Sequence, residues 1–166
     1  MHTSAMVRRD TKFYVWVAVA GALAIFAAGA IGGMFTTPSI QDGWYASLTK
    51  PPMQPPNSWF GPVWSVLYVL IAASWVLAYR ARPERLEAIA YPYLVQVILN
   101  GLWSVLFFGM KLPMAGLVTI VLLLVSIVWT MLAFRINSRL AAWLLAPYLA
   151  WVSFATYLNA GIVALN

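Results

Sequence analysis

Long apolar runs without charge, separated by short polar stretches, set the pattern of this chain. No charged residue occurs between Lys12 and Asp42, and the apolar part of that interval covers residues 13–35. Further runs follow at residues 60–79, 88–110, 112–134 and 140–165. A helix needs about 20 apolar residues to cross a bilayer, and only helices and closed barrels satisfy their backbone in lipid. Because the runs lack the two-residue alternation of barrel strands, the sequence predicts five transmembrane helices.

The composition supports a membrane protein. Of 166 residues, 63% are apolar and 8% charged, whereas soluble domains have about 45–50% and roughly 25%. Five spans leave no room for a separate soluble domain, so we predict one all-α membrane domain over residues 1–166, a five-helix bundle with a long first loop rich in Pro and Trp at 36–59. The net charge of +6 arises at the ends of the runs, which indicates membrane topology rather than nucleic-acid binding.

The basic residues are distributed unevenly between the two sides that five spans define. One side is predicted to hold Arg8, Arg9, Lys12, Arg80, Arg82, Arg85, Arg135 and Arg139. The other side holds Lys50 and Lys111. By the positive-inside rule, we expect a bacterial-type cell membrane with the N-terminus cytoplasmic and the C-terminus outside. In an alternative interpretation the first run is a signal peptide cleaved near Ala20-Gly21-Ala22, but the run extends well beyond the usual core of about 7–15 residues.

Several kinds of chemistry are excluded or disfavoured by residue type. Cysteine is absent and the one histidine is His2, so the sequence offers no disulfide, no thiolate nucleophile and no usual metal site. We expect no metal and no covalent cofactor. The spans contain no Asp, Glu, Lys or Arg, which disfavours proton-coupled pumps and enzymes that need an acid/base pair.

Aromatic residues are abundant, with nine Trp, eight Tyr and eight Phe. Six are expected in the interfacial belts where Trp and Tyr concentrate: Tyr14, Trp16, Tyr79, Tyr91, Trp129 and Trp143. Others share helix faces with amides: Trp64, Tyr68, Ile71 and Trp75; Gln96, Asn100, Trp103 and Phe107; Tyr148, Trp151, Ala155 and Asn159. Such stripes more often reflect helix packing than a binding wall. The amide, indole and phenol groups on these faces nevertheless favour the alternative, an aromatic cavity for a flat hydrophobic ligand.

The loop at 36–59 is too long for a simple connector. Asp42 is predicted to cap a short helix at 43–49, which Lys50-Pro51-Pro52 ends because residues before proline avoid the helical region. Four prolines in residues 51–56 predict a stiff, extended strap. The strap is interpreted as a lid over one end of the bundle, with a rigid spacer as the alternative.

Four motifs stand out in these segments. They are Trp44-Tyr45-x-x-Leu48-x-Lys50-Pro51-x-x-x-Pro55-Pro56; Phe60-Gly61-Pro62-Val63-Trp64-x-x-x-Tyr68; Gln96-x-x-x-Asn100-x-x-Trp103 with Phe107-Phe108-Gly109-x-Lys111; and Pro147-Tyr148-Leu149-Ala150-Trp151-x-x-Phe154-Ala155-x-x-Leu158-Asn159. Together they resemble the tryptophan-rich sensory protein/translocator protein family (TspO/MBR, the peripheral benzodiazepine receptor family), in its bacterial form, and they occur in the family's order across about residues 30–160. The fold that this resemblance implies is a five-helix bundle.

The resemblance also implies a function and a set of site residues. Members of the family bind porphyrins such as protoporphyrin IX, and animal members bind cholesterol and synthetic drugs. The positions that match the family's pocket or lid are Trp44, Tyr45, Pro55, Trp64, Asn100, Trp151 and Ala155, to which the stripes add Trp103 and Tyr148. In some bacterial members the indoles matching Trp64 and Trp151 are linked to light-dependent porphyrin breakdown, which requires no acid/base pair.

Three function classes follow from these observations. The first is a porphyrin-binding sensor or regulator, with or without light-dependent breakdown of its ligand. The second is a transporter of porphyrins, sterols or other flat ligands, and the third is a structural subunit. The animal cholesterol motif is missing after Tyr157, so cholesterol binding there is not expected. Family members form homodimers, and the pairs Gly29/Gly33 and Ala146/Ala150 fit close helix contact either within the bundle or between protomers.

Overall fold

The computed structural model describes residues 11–166, all of whose regular elements are helical. The helices are α1 (Thr11–Gln41), α2 (Trp44–Ser47), α3 (Phe60–Ala81), α4 (Leu86–Ser104), α5 (Pro113–Asn137), α6 (Arg139–Leu144) and α7 (Ala146–Leu165). Short 3₁₀ turns precede α3 and α4, and a π-helical turn, Val105–Gly109, extends α4. The residues Arg8 and Arg9, which enter the charge count, and His2 lie outside the described residues.

Five helical segments are long and apolar enough to cross a membrane, as the sequence predicts. They are α1, α3, α4 with its π turn, α5, and α6 together with α7. The contacts between them form a closed ring, in which α1 touches α3 and α4, α5 touches α4 and α7, and α3 closes the ring against α6. This five-helix bundle confirms the predicted fold class.

The last span is bent, a feature absent from the predicted single run at 140–165. Its first part is capped by Ser138, whose hydroxyl oxygen accepts a hydrogen bond from the Ala141 amide at 3.3 Å. At Leu145 the amide bonds to the Ala142 carbonyl at 3.1 Å, a tighter i to i−3 turn. Pro147, in the first turn of α7, has no amide hydrogen to continue the ladder, so the helix restarts at Ala146.

The first loop is shorter than predicted, because residues 36–41 belong to α1. Thr36, Thr37 and Pro38 suggested a loop, but the Ser39 hydroxyl donates to the Phe108 carbonyl at 2.5 Å and ties this turn to the end of α4. The Asp42 amide bonds to the Pro38 carbonyl at 2.8 Å. Tertiary contact therefore overrides the local preference, and the loop begins at Asp42.

The short helix in this loop exists but is also shorter than predicted. It covers Trp44–Ser47 rather than 43–49, so Leu48 lies beyond its end. The Asp42 carboxylate accepts a hydrogen bond from the Trp44 amide at 2.9 Å, as a cap at this end would. Gly43 between them has φ 82°, a left-handed conformation that glycine adopts without strain.

The basic end of the bundle is filled by stacked aromatic rings. Trp75 lies 4.6 Å from Tyr93 and 6.0 Å from Tyr79 between ring centroids, and Tyr93 stacks on Phe134 at 6.1 Å. Tyr79 is 1% exposed, so its assignment to the interfacial belt is wrong. The other belt candidates, Tyr14, Trp16, Tyr91, Trp129 and Trp143, have exposed rings on the outside of the bundle.

Candidate functional site

The opposite, loop-proximal end of the bundle contains an open pocket, here called the lateral pocket. It has a volume of about 420 Å³ and lies between α1, α3 and α4. Its aromatic wall is built by three side chains: the Trp64 ring stacks on Tyr68 at 5.4 Å and lies 6.3 Å from Trp103. Phe60 and Phe108 complete this wall near the loop. Pockets for small ligands have volumes of about 300–1,000 Å³ and mostly apolar, aromatic walls.

The α1 side of the lateral pocket is made of glycine, which creates the space. A β-carbon on Gly29 would lie 2.3 Å from the Tyr68 ring, whereas one on Gly33 would meet nothing within 4 Å. Gly29 therefore lets α1 approach α3, and Gly33 leaves the mouth of the pocket open. In the Gly29/Gly33 pair, Gly29 therefore mediates helix contact within the bundle.

Polar side chains in the lining of the pocket differ in whether they already have a partner. The Thr36 and Ser65 hydroxyls donate to carbonyls of their own helices, at 3.0 and 2.9 Å. Five other side chains make no hydrogen bond to any described residue: Thr37, Gln41, Asn57, Tyr68 and Ser104. The pocket thus combines ring faces with donors and acceptors that a ligand could engage.

Beneath the pocket, several predicted site residues bond to each other. The Asn100 amide donates to the Tyr148 hydroxyl at 3.1 Å, and the Trp103 indole N–H donates to the Asn159 carbonyl oxygen at 3.2 Å. Asn159 in turn donates to the Pro113 carbonyl at 2.9 Å. The structure therefore brings Asn100, Trp103 and Tyr148 together across α4 and α7, with their polar atoms engaged in cross-helix contacts.

The centre of the bundle under the lid is nearly full. A void of only about 20 Å³ remains between Tyr45, Trp103, Ala155 and their aromatic neighbours, about the room that one water needs. Trp44 packs edge-on against Phe107 at 5.7 Å, and Tyr45 lies 5.5 Å from Phe108. Burial raises the pKa of the Tyr45 hydroxyl, whose oxygen accepts a hydrogen bond from Gln54.

The first part of the lid is held by polar contacts of two lysines. At its start, Lys111 forms an ion pair with Asp42 at 2.8 Å and lies 5.9 Å from the Trp44 ring. The hydrogen bonds that Asp42 accepts from Lys111 and from the Trp44 amide lower the pKa of its carboxyl. Lys111 holds a left-handed conformation with φ 56°, a strained geometry for lysine. Lys50 lies over the Tyr45 ring at 4.9 Å.

The strap after α2 lies against α7. The Asn166 side chain exchanges two hydrogen bonds of 3.0 Å with the backbone of Thr49, and the Tyr157 hydroxyl donates to the Pro52 carbonyl at 3.0 Å. Buried Pro51 packs where a β-carbon on Gly161 would lie, 2.5 Å from its ring. Pro55 is half-buried, accepts a bond from Gln54 at 3.3 Å and lines none of the described cavities.

Trp151 faces a different cavity from Trp64. It lines an apolar groove of about 630 Å³ between α3 and α7, together with Val66, Ala150 and Phe154. Its ring centroid lies 5.9 Å from that of Phe60 and 5.8 Å from that of Phe154, and its buried indole nitrogen has no hydrogen-bond partner within residues 11–166. Trp64 and Trp151, which the family resemblance links to one activity, therefore line different cavities.

Sequence reasoning missed part of this site. Tyr68 belongs to a predicted stripe but not to the predicted site residues, and the sequence does not predict Gly33, Asn57, Phe60 or Ser104 for binding. The available signal is the Gly29/Gly33 pair in α1 opposite an aromatic stripe, a pattern that close helix packing also explains. Within residues 11–166, no cluster of His, Cys, Asp and Glu could hold a metal ion.

Comparisons with known proteins show which family this chain is similar to. The TspO/MBR family matches residues 15–165. The chain is 41% identical over 148 residues to the "Tryptophan-rich protein TspO" of Archaeoglobus fulgidus, covering 89% of this chain and 95% of the relative. It is 44% identical over 142 residues to the protein of the same name from Chlorobaculum tepidum, covering 84% and 89%. With the human "Translocator protein" it shares 38% identity over 119 residues, 70% of each chain.

Proposed function

The chain belongs to the TspO/MBR family, and from this premise we propose that it binds protoporphyrin IX, or a related tetrapyrrole, as a membrane-embedded sensor or regulator. Its five apolar helices and its family make it an integral, multi-pass membrane protein. A tetrapyrrole is flat and largely apolar, with carboxylates on one edge. Such a ligand requires ring faces to stack on and hydrogen-bond donors at one end.

The observation that carries the proposal is the lateral pocket. Trp64, Tyr68 and Trp103 offer ring faces for stacking, a geometry in which aromatic pairs contribute about 0.5–1.5 kcal/mol each. The side chains of Gln41 and Asn57 lie at the loop end of the same pocket and offer amide donors to propionate groups. Because Gly33, Gly61 and Ser65 of the lining are exposed on two membrane spans, we propose that the ligand enters from the bilayer.

The direct test is to fill the pocket without touching the packed core. Gly33→Leu places a side chain where nothing lies within 4 Å, so we expect a folded protein whose indole fluorescence is no longer quenched by micromolar protoporphyrin. The matched control is Ala150→Leu, which fills the α3/α7 groove instead and is expected to preserve quenching. Unchanged binding in Gly33→Leu with loss in Ala150→Leu would move the site to the groove.

We further propose that any light-dependent porphyrin breakdown depends on Trp64 more than on Trp151. Trp64 lies in the lateral pocket, whereas Trp151 lines the groove on the other side of Phe60. In Trp64→Phe, the bleaching rate per bound porphyrin should fall, because phenylalanine stacks but is a poorer electron donor than indole. Bleaching that only follows occupancy would leave Trp64 a binding residue without a chemical role.

The second candidate function is transport of porphyrins, sterols or other flat ligands. Its support is the presence of two side openings, the lateral pocket and the α3/α7 groove, both bordering the helix that begins at Phe60. Against it stand the lid contacts that tie the strap to α7. Porphyrin uptake into proteoliposomes separates the candidates: a sensor binds without net transfer, and a transporter accumulates ligand inside.

We propose an orientation with the N-terminus cytoplasmic and the C-terminus outside, in a bacterial cell membrane. The ends of α3 and α5 are adjacent, since the Asn137 amide donates to the Ala78 carbonyl at 3.1 Å. The described basic residues at this end are Lys12, Arg80, Arg82, Arg85, Arg135 and Arg139; Lys50 and Lys111 lie at the other. Reporter fusions after Asn166 and within residues 80–87 should report opposite sides; two cytoplasmic signals would refute this topology.

A homodimer is also proposed. Gly29 already contacts Tyr68 within the chain, and Ala150 lies in the α3/α7 groove, so we expect the interface to lie on an outer helix face. The mass of the protein in detergent, measured by light scattering with the detergent contribution subtracted, distinguishes a dimer from a monomer.

A further inference from the structure

A further cavity, separate from the lateral pocket, lies at the basic end of the bundle where α5 turns into α6. It has a volume of about 410 Å³ and is lined by Met131, Leu132, Arg135, Arg139, Ala142 and Trp143. We call it the elbow groove. Two cationic side chains and an apolar floor thus occur together in one concave surface.

The two arginines of the elbow groove have no acidic partner among residues 11–166. The ion pair between Lys111 and Asp42 lies at the other end of the bundle. Neither Arg135 nor Arg139 donates a hydrogen bond to a described residue, and both are exposed. Two unpaired guanidinium groups, each with five donors in a planar fork, form a suitable site for a phosphate.

The rest of the groove suits the hydrocarbon part of the same ligand. Leu132 is 57% exposed and lies one turn before Arg135, toward the middle of the α5 span. Trp143 is 72% exposed, and an exposed indole at a helix end is typical of the headgroup level. The arginines therefore lie where headgroups lie, and the apolar residues lie where acyl chains begin.

We propose that the elbow groove binds an anionic phospholipid, with its phosphate between Arg135 and Arg139 and an acyl chain against Met131 and Leu132. Basic pockets between transmembrane helices are suited to acidic headgroups. No acidic residue lines this groove, so a zwitterionic lipid gains less from it than a lipid with net negative charge. The bound lipid would brace the α5–α6 turn, whose continuation into α7 is broken at Leu145.

The experiment measures lipid binding by the full chain in detergent, using native mass spectrometry with dioleoyl phosphatidylglycerol and dioleoyl phosphatidylcholine, which share acyl chains. Wild-type protein should bind the phosphatidylglycerol more tightly. Arg135→Gln and Arg139→Gln should each weaken that binding about fivefold, the effect of one basic side chain near an anionic surface. Arg135→Lys, which keeps the positive charge, should weaken it less than Arg135→Gln. The matched control is Arg82→Gln, an exposed arginine at the same end that lines none of the described cavities.

Several results would overturn the proposal. Equal affinity for the two lipids would show that the groove does not select a negative headgroup. An equal loss in Arg82→Gln would assign the preference to the general surface charge. Inorganic phosphate that displaces the lipid at millimolar concentration would assign the site to a free anion. Because the arginine side chains are exposed, the thermal unfolding midpoint without added lipid should match the wild type, which confirms that the variants fold.

Discussion

Two tryptophans on one face of α3, three helical turns apart, have opposite environments. Trp75 is 3% exposed, stacks on Tyr93 and Tyr79, and donates its indole N–H to the Val17 carbonyl at 3.3 Å. Trp64 has a stacked neighbour too, Tyr68, yet its ring also lines an open pocket. The same spacing and residue type thus produce a packed core at one end of the bundle and a candidate binding wall at the other.

The difference arises from what α1 presents to each ring. At the basic end, Gly21 lets the Trp75 indole lie directly against the α1 backbone, where a β-carbon would be 2.0 Å from its nitrogen. The Gly21 carbonyl also accepts a bond from the Tyr93 hydroxyl at 2.8 Å. At the loop end, Gly33 presents nothing to Trp64. Gly21 therefore closes the core against Trp75, and Gly33 leaves open space in the pocket that Trp64 lines.

The largest effect is expected from removing each indole. Trp75→Ala should lower the free energy of unfolding by about 3–5 kcal/mol, as for other buried Trp or Phe truncations. Trp64→Ala should lower it by roughly 1 kcal/mol, the scale of an aromatic contact. Reversible unfolding in mixed micelles measures both. Equal losses would mean that the pocket wall is as much a part of the core as the basic end.

The glycines offer a second, smaller contrast. Gly21→Ala forces the new methyl into the Trp75 ring and should destabilise by about 1–3 kcal/mol, the usual cost of overpacking. Gly33→Ala has free space and should be neutral or stabilising by up to about 1 kcal/mol, because alanine has the higher helix propensity. The same unfolding assay applies. A tolerated Gly21→Ala would contradict the close approach of α1 and Trp75.

Ligand binding should separate Trp64 from Trp151. Trp64→Phe should weaken protoporphyrin binding by about 0.5–1.5 kcal/mol, and Trp151→Phe should leave it nearly unchanged. Since the two rings line different cavities, the double variant should show the sum of the single effects. Fluorescence titration measures all three. Non-additivity would indicate that one ligand reaches both rings and that Phe60 moves aside on binding.

The smallest effect is expected at the lid. The Asp42 carboxyl has its pKa lowered from the ordinary 3.8 by its hydrogen bonds to Lys111 and the Trp44 amide. The ion pair's contribution is therefore present above about pH 4 and declines as the pH falls through the lowered pKa. At neutral pH, Asp42→Asn should speed hydrogen exchange of the α2 amides, and Glu87→Gln, an exposed acid at the other end, should not. Equal exchange in both variants would show that the pair does not hold α2.

Much of the fold follows from the sequence because lipid leaves the backbone few choices. Uncharged runs predicted five spans, and Asp42, Lys50 and Pro51 predicted a short helix in the first loop. The ends of elements were less accurate. Residues 36–41 extend α1 because Ser39 reaches the Phe108 carbonyl, a contact between residues far apart in the chain that leaves no local signal. The break at Leu145 has a local cause in Pro147, but the uninterrupted apolar run at 140–165 does not predict it.

The site was determined in part by the sequence and in part by the tertiary structure. The sequence by itself determined five apolar spans, an aromatic and amide-bearing interior, a proline-stiffened lid and the motifs of a family. Periodicity placed Trp64 and Trp75 on one face, and it contained nothing that could distinguish them. Only the packing of α1 decided that Gly21 accepts one indole and Gly33 leaves space beside the other, because a cavity is defined by the atoms that a neighbouring helix does not supply.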